Sequence, residues 1–196
     1  MSLEQVALAI AGELRPVDFE RCSSQLDLIA AGLGDLSALE PAERANALVV
    51  YLERRMRLRR RLDRDPQSLM LDRVVADRAG HAYALAIVYA AVGARCGLSP
   101  YPVLAGRALL VADRTDESTV LIDPVPGGRP PRGKPAWACP HVVARFLLGA
   151  IGERYEERGD LARAIKTAEL AGLLPLHGAR RRDDEQVLRA LQSRLN

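Results

Sequence analysis

The sequence predicts an α+β domain with a buried central helix and a small antiparallel sheet, followed by a C-terminal helical annex. Three observations carry this. The stretch 82–96, AYALAIVYAAVGARC, is apolar nearly all round, its ionisable groups besides Tyr83 and Tyr89 being Arg95 and Cys96 in the last turn, so its helix must be buried. Residues 101–123 hold two apolar, partly β-branched runs about the polar turn Arg114-Thr115-Asp116, which reads as a hairpin. From Pro140 onward the pattern is helical again: one helix to Glu157, a break at Gly159-Asp160, a second to Gly172, and a third from Asp183 to Leu195. The expected division is a core with N-terminal helices over 1–135 and an annex over 136–196.

Taken in order, 3–14 and 24–33 read as short amphipathic helices, with Pro16 and the Gly32–Gly34 region as breakers. A third helix starts at Pro41, tolerated in a first turn, and continues to Leu62, with Leu48, Leu52, Met56, Leu58 and Leu62 near helical spacing. Seven arginines fall between positions 54 and 64 against one acid, Asp63. This Arg54–Arg64 face is either a solvated helix surface or a site for an anionic partner, and without aromatic interleaving nucleic acid is not expected. Ser68 is a candidate cap for a short helix ended by Gly80. The central helix spans roughly 22 Å, too short for a membrane. Gly97 suits the left-handed position that closes it, and Gly93 leaves a bare patch for a close neighbour.

In the hairpin, Asp113 is set opposite Glu117, which pairs Val111 with Thr119, Leu109 with Leu121 and Arg107 with Asp123 on one face. Ala108, Leu110, Ala112, Val120 and Ile122 then share the other, and with both faces apolar the sheet should be covered on both sides. Residues 124–135 hold five prolines and three glycines and form a surface loop.

Composition bounds the function. With 196 residues, 48% hydrophobic and 27% charged, the chain can bury a substantial core. The net charge of +3 comes from 28 basic and 25 acidic residues, and every basic one but Lys134 and Lys166 is arginine, a bias that reads as base composition rather than as a polyanion partner. No leader and no apolar run of membrane length is visible, so a cytoplasmic protein without a membrane partner is expected. Cys22, Cys96 and Cys139 stand at unrelated spacings, which offers neither a disulfide framework nor a metal signature, and no cofactor is expected.

The order DPQSLMLDRVVADRAG, the apolar helix ending ARCGL, the strand pair ending LIDPVPGGR, and the tail ERYEERGDLARAIKTAELAGLLP followed by RRDDEQVLRAL together resemble the SirB-type transglutaminase-like family with its tetratricopeptide-like C-terminal part. The resemblance covers roughly residues 25 to 195 and implies a transglutaminase-like, that is papain-like, core. In the tail, Gly152, Tyr155, Gly159, Ala164 and Ala171 match the spacing of one tetratricopeptide unit, which cannot form a superhelix and should dock as a helical pair.

For chemistry the resemblance implies mostly a loss. Such enzymes place a Cys at the start of the central helix, a His on a following strand and an Asp on the next, since a thiolate needs a neighbouring base and the base an orienting acid. Here the nucleophile position falls on Ala82, the Gly-His step is Gly106-Arg107, and the acid remains as Asp123. A guanidinium stays protonated and cannot act as a general base near neutral pH, so no catalytic residue is expected in this degenerate site of Ala82, Arg107 and Asp123. His81 reads as a helix-capping or packing residue, Cys96 as a small buried hydrophobe, and Trp137 as an anchor of the proline loop to the core or else a contact for a partner. Cys139-Pro140-His141 sets a thiol near an imidazole without a third partner.

Two functions follow. The first is a non-catalytic scaffold that binds another protein through the helical tail or the Arg54–Arg64 face. The alternative is an enzyme whose cleft is refitted for a small-molecule or acyl-group reaction, with Arg107 as an anion clamp and Asp123 or His81 as acid or base. Open space around these three residues favours the enzyme, and a cleft filled by side chains favours the scaffold.

Overall fold

The computed structural model describes residues 2–115, 118–125, 133–175 and 179–194. Helix α1 (Leu3–Leu14) opens on a capping box in which Ser2 and Gln5 satisfy each other's backbone N–H groups. Helix α2 (Phe19–Leu33) starts earlier than expected because Asp18 accepts the Arg21 N–H and the stripe Cys22, Leu26, Ala30 is buried. Helix α3 (Pro41–Val50) does not run to Leu62. It passes into a π-helical turn, Tyr51–Arg55, and ends where Arg57 takes a left-handed conformation (φ 55°) and the Leu58 N–H reaches back to the Leu52 carbonyl at 2.9 Å. The early end lets Met56 and Leu58 pack on the core, whereas Leu62 stays 80% exposed, and it avoids crowding like charges on one helix face.

Only Arg54 and Arg55 of the arginine run are therefore helical, and the rest, from Arg57 on, lies on a segment that has left the helix. Its strand β1 (Arg59–Arg60) pairs in parallel with β2 (Ala79–Gly80), which follows helix α4 (Leu71–Asp77). The expected Ser68 cap is replaced: Asp65 caps a 3-10 turn over Pro66–Leu69, Ser68 donates to the Asp65 carbonyl at 2.7 Å, and α4 ends at Arg78 (φ 52°) rather than at Gly80. Gly80 is needed for close approach, since a Cβ there would lie 2.4 Å from a methyl of Val74 and 3.0 Å from the Ser68 carbonyl oxygen.

Helix α5 (Ala82–Arg95) has every residue from Tyr83 to Gly93 buried, and Gly97 (φ 88°) follows its cap. The patch left by Gly93 is met by a methyl of Leu48, 3.2 Å from where a Cβ would stand. The apolar run after α5 is two strands, not one: β3 (Pro100–Ala105) and β4 (Ala108–Arg114) turn at Gly106-Arg107, Gly106 supplying the positive φ of 63°. Strand β5 (Thr119–Ile122) completes the predicted hairpin in a different register, with Val111 opposite Ile122, Asp113 opposite Val120 and Arg114 opposite Thr119. Arg107 and Asp123 are thus not cross-strand partners, and Ile122 shares the face of Val111. The loop between these strands closes on the Thr115 N–H to Ser118 carbonyl bond at 2.9 Å and so spans four residues, where a three-residue turn was expected. An odd shift of register exchanges the faces of the partner strand. Glu117, and residues 126–132 of the proline loop, lie outside the described residues.

Strand β6 (Ala136–Trp137) pairs with β3, giving a four-stranded antiparallel sheet in the order β5-β4-β3-β6. This strand falls just beyond the expected division at 135. Leu109, Val111 and Ile122 join the main core with α5, while Val103, Ala105, Leu110 and Ala112 form a second cluster on the other face. Trp137 lies on this second face, 55% exposed instead of anchored in the core, with the Arg114 guanidinium 5.6 Å from its ring and 5.7 Å from that of Tyr101.

Helices α6 (Pro140–Glu157) and α7 (Leu161–Gly172) follow the expected limits, and α8 (Ala179–Gln192) begins four residues early. α6 and α7 approach through small residues: a Cβ on Gly152 would lie 2.6 Å from Thr167 Oγ1. Leu147, Ile151 and Tyr155 belong to the same apolar cluster as α1 and α5, so the C-terminal helices share the core. Among the described residues no helix is long and apolar enough to cross a membrane.

Candidate functional site

A cleft of about 1020 Å³ opens at the N-terminus of α5. It is lined by Ala82 and the β3–β4 turn, by the α6 stripe Ala150, Glu153, Arg154, Glu157, and by Arg60, Leu62, Asp63 and Arg64. The β1–β2 ladder positions that last segment, since the Arg61 N–H donates to the Gly80 carbonyl at 2.8 Å one residue before His81. His81, Ala82, Arg107 and Asp123 all line the cleft, which is open rather than filled by side chains.

His81 is the N-cap of α5: its Nδ1 accepts the Tyr83 N–H at 3.3 Å, and its ring meets Tyr83 edge-on at 4.8 Å. Burial, with the charges of Arg154 and Arg60, lowers its pKa from 6.5 to about 4, so the imidazole is neutral near pH 7. Tyr83 donates its hydroxyl to the Arg107 carbonyl at 2.8 Å, tying the first turn of α5 to the β3–β4 turn. Ala82 stands first in the helix and supplies no nucleophile.

Arg107 and Asp123 form no ion pair. The Arg107 side chain is 83% exposed and meets Glu153 of α6 at 3.6 Å. Asp123 instead accepts the Val125 N–H at 2.8 Å, and its charge adds to the burial that raises Glu53 and Tyr89. Arg107→Ala should therefore cost at most about 0.5 kcal/mol of stability and combine additively with Asp123→Ala in urea melts, since an exposed ion pair contributes little.

None of the three cysteines lines the cleft. Burial pushes the Cys22 thiol up to about 12 and raises that of buried Cys96, so neither holds a ready thiolate, while Cys139 is exposed beside α6. Among the described residues no cluster of His, Cys, Asp and Glu fits a metal ion.

The sequence reading missed two sets of residues. Arg154 and its neighbours sit at positions i, i+3, i+4 and i+7 from Ala150, a polar stripe that helical spacing could have shown. Arg44 and Asp113 form a buried ion pair beneath the sheet, one Asp113 oxygen receiving Arg44 Nε at 3.1 Å and Nη2 at 2.9 Å and the other the Ser99 N–H at 2.9 Å. Arg44 shares its helix face with Leu48 and Leu52, and an arginine on an apolar stripe was the available signal.

In comparison with known proteins, residues 20–134 match the family model of the transglutaminase-like superfamily. No curated protein and no solved structure matches the chain.

Proposed function

The chain belongs to the transglutaminase-like superfamily, and on that premise we propose that it is a non-catalytic binding protein that keeps the cleft of its fold without thiol chemistry. The observation that carries the reading is Ala82. It occupies the start of the buried helix, where transglutaminase-like and papain-like enzymes place the nucleophile, and no cysteine shares the cleft with it. Arg107 stands outside the reach of Asp123, so a base and its orienting acid are not assembled. The C-terminal helices supply a second binding element of tetratricopeptide-like spacing, in which Tyr155 and Ala164 are buried and Gly159 (φ 74°) makes the turn between helices.

Openness of the cleft favours a second reading, an enzyme acting on a small molecule or acyl substrate with Arg107 as anion clamp and Asp123 as base, the acceptor nitrogen of His81 being engaged by the cap of α5. Incubation of the purified chain with a glutamine peptide and a primary amine, and with peptide amides, tests the proposal. No turnover is expected. Amide turnover that vanishes on alkylation would overturn it, and turnover that survives alkylation but is lost in Asp123→Asn would establish the second reading.

A further inference from the structure

The charges along the cleft are unevenly matched. Glu157 pairs with Arg64 at 3.2 Å, Glu153 with Arg107 at 3.6 Å, and Asp63 with Arg61. Asp123 turns a carboxylate oxygen to the Val125 N–H. Two cations lining the same space, Arg60 and Arg154, form no ion pair among the described residues. Arg154 is the more enclosed: its Nη1 reaches only the Ala150 carbonyl one turn back, at 3.2 Å, and its Nε is buried with no hydrogen-bond partner. That Nε is closed off from the cleft, so a bound anion would meet the Nη nitrogens, with Asp63, Glu153 and Glu157 near Arg154 but beyond ion-pair distance. Both charges bear on His81, so they converge on the N-terminus of α5, the positive end of a 14-residue helix.

We propose that this end of the cleft binds a small oxyanion, the carboxylate or phosphate group of a small molecule, held by Arg154 and Arg60 beside Ala82. Planar guanidinium groups suit either anion. Leu62, Ala108, Leu109 and Val125 line the same cleft and give the apolar remainder of such a molecule its contacts. The volume of the open cleft, about 1020 Å³, is just past the usual upper bound for a small-molecule site. Of the rest of the run, Arg54 and Arg55 in the π-helical turn and Arg57 and Arg59 after it are exposed and add to the positive potential that draws anions to the protein.

The inference rests on the non-catalytic reading only in taking Ala82 as a position without a nucleophile. The full chain would be titrated with inorganic phosphate and, separately, with phenylacetate, at ionic strength held constant with sodium chloride, and followed by calorimetry and by the thermal midpoint. One probe or both should bind saturably, which identifies the anion. Arg154→Gln should weaken binding about tenfold or more. Arg60→Gln, at an exposed side chain, should weaken it severalfold, and Arg21→Gln, at an exposed arginine of α2 that does not line the cleft, should leave it unchanged. No saturable binding of either probe, or equal binding by wild type and Arg154→Gln, would overturn the proposal. Amide turnover would overturn the non-catalytic reading and leave the anion site standing, so the two failures are distinguishable.

Discussion

Arg44→Ala is expected to destabilise the fold by on the order of 3–5 kcal/mol, the largest effect of any single charge removal here. Asp113 is fully buried in β4, and its two oxygens take both Arg44 nitrogens and the Ser99 N–H. Removing the guanidinium strands a carboxylate in a place that water does not reach, and the cost is that of a buried charge rather than of a lost contact. Asp113→Ala should be comparably severe, because it strands the arginine and leaves the Ser99 N–H unpaired. Replacing both partners by leucine should cost less than the sum of the single changes, since no charge then remains buried. Urea melts of the two alanine variants and of their combination measure the coupling. Additive losses would mean that the pair does not act as a unit.

The second large effect is on pH dependence. The His81 pKa is about 4 in the fold against 6.5 for the free side chain. A depressed histidine contributes stability that is fully present above pH 6.5 and is lost as pH falls through the folded value near 4, because the unfolded chain takes up the proton first. At 1.36 kcal/mol per pH unit this gap would reach on the order of 3 kcal/mol, and solvent in the open cleft reduces it to about 2. Protonating Nδ1 also abolishes the cap on α5, since the nitrogen that accepts the Tyr83 N–H then carries a proton. His81→Asn keeps a capping side chain without a titrating group. The difference in stability between wild type and His81→Asn should therefore shift against the wild type by about 2 kcal/mol between pH 6.5 and 4. A difference that is flat over this range would show that His81 is not buried as the structure has it.

What could be read from the sequence depended on how local its cause was. The limits of α5 and α6 were legible because an all-apolar stretch between glycines and a proline-led periodic stretch each admit one interpretation. The sheet was legible in kind but not in register. Gly106-Arg107 is a two-residue turn inside what reads as one continuous strand, and the loop from Thr115 to Ser118 is one residue longer than its polar core suggests. Those two turn lengths moved Arg107 from a supposed strand face to an exposed loop and separated it from Asp123. The arginine run misled for a tertiary reason, as it pairs with a strand next to α5 rather than continuing α3, and that pairing leaves no periodic trace. Spacing could show the stripe that Arg154 shares with Glu153 and Glu157, but not that the packing of α6 sets this stripe against the cleft.

The central claim, which follows from the proposed reading, is that the N-terminus of α5 keeps a cationic setting where transglutaminase-like enzymes place their nucleophile, although neither the thiol nor an assembled base and acid is present. Ala82→Cys tests it most directly, with the rate of alkylation by iodoacetamide followed against pH and each modified cysteine identified by peptide mapping. Ala82 lies at the N-terminus of α5 in a cleft where Arg60 and Arg154 bear on the adjacent His81. The introduced thiol should accordingly titrate well below the ordinary value of about 8.5 and react faster than Cys139 at neutral pH, with Cys22 and Cys96 protected. A midpoint at or above about 8.5, or a thiol that iodoacetamide does not reach, would contradict the account.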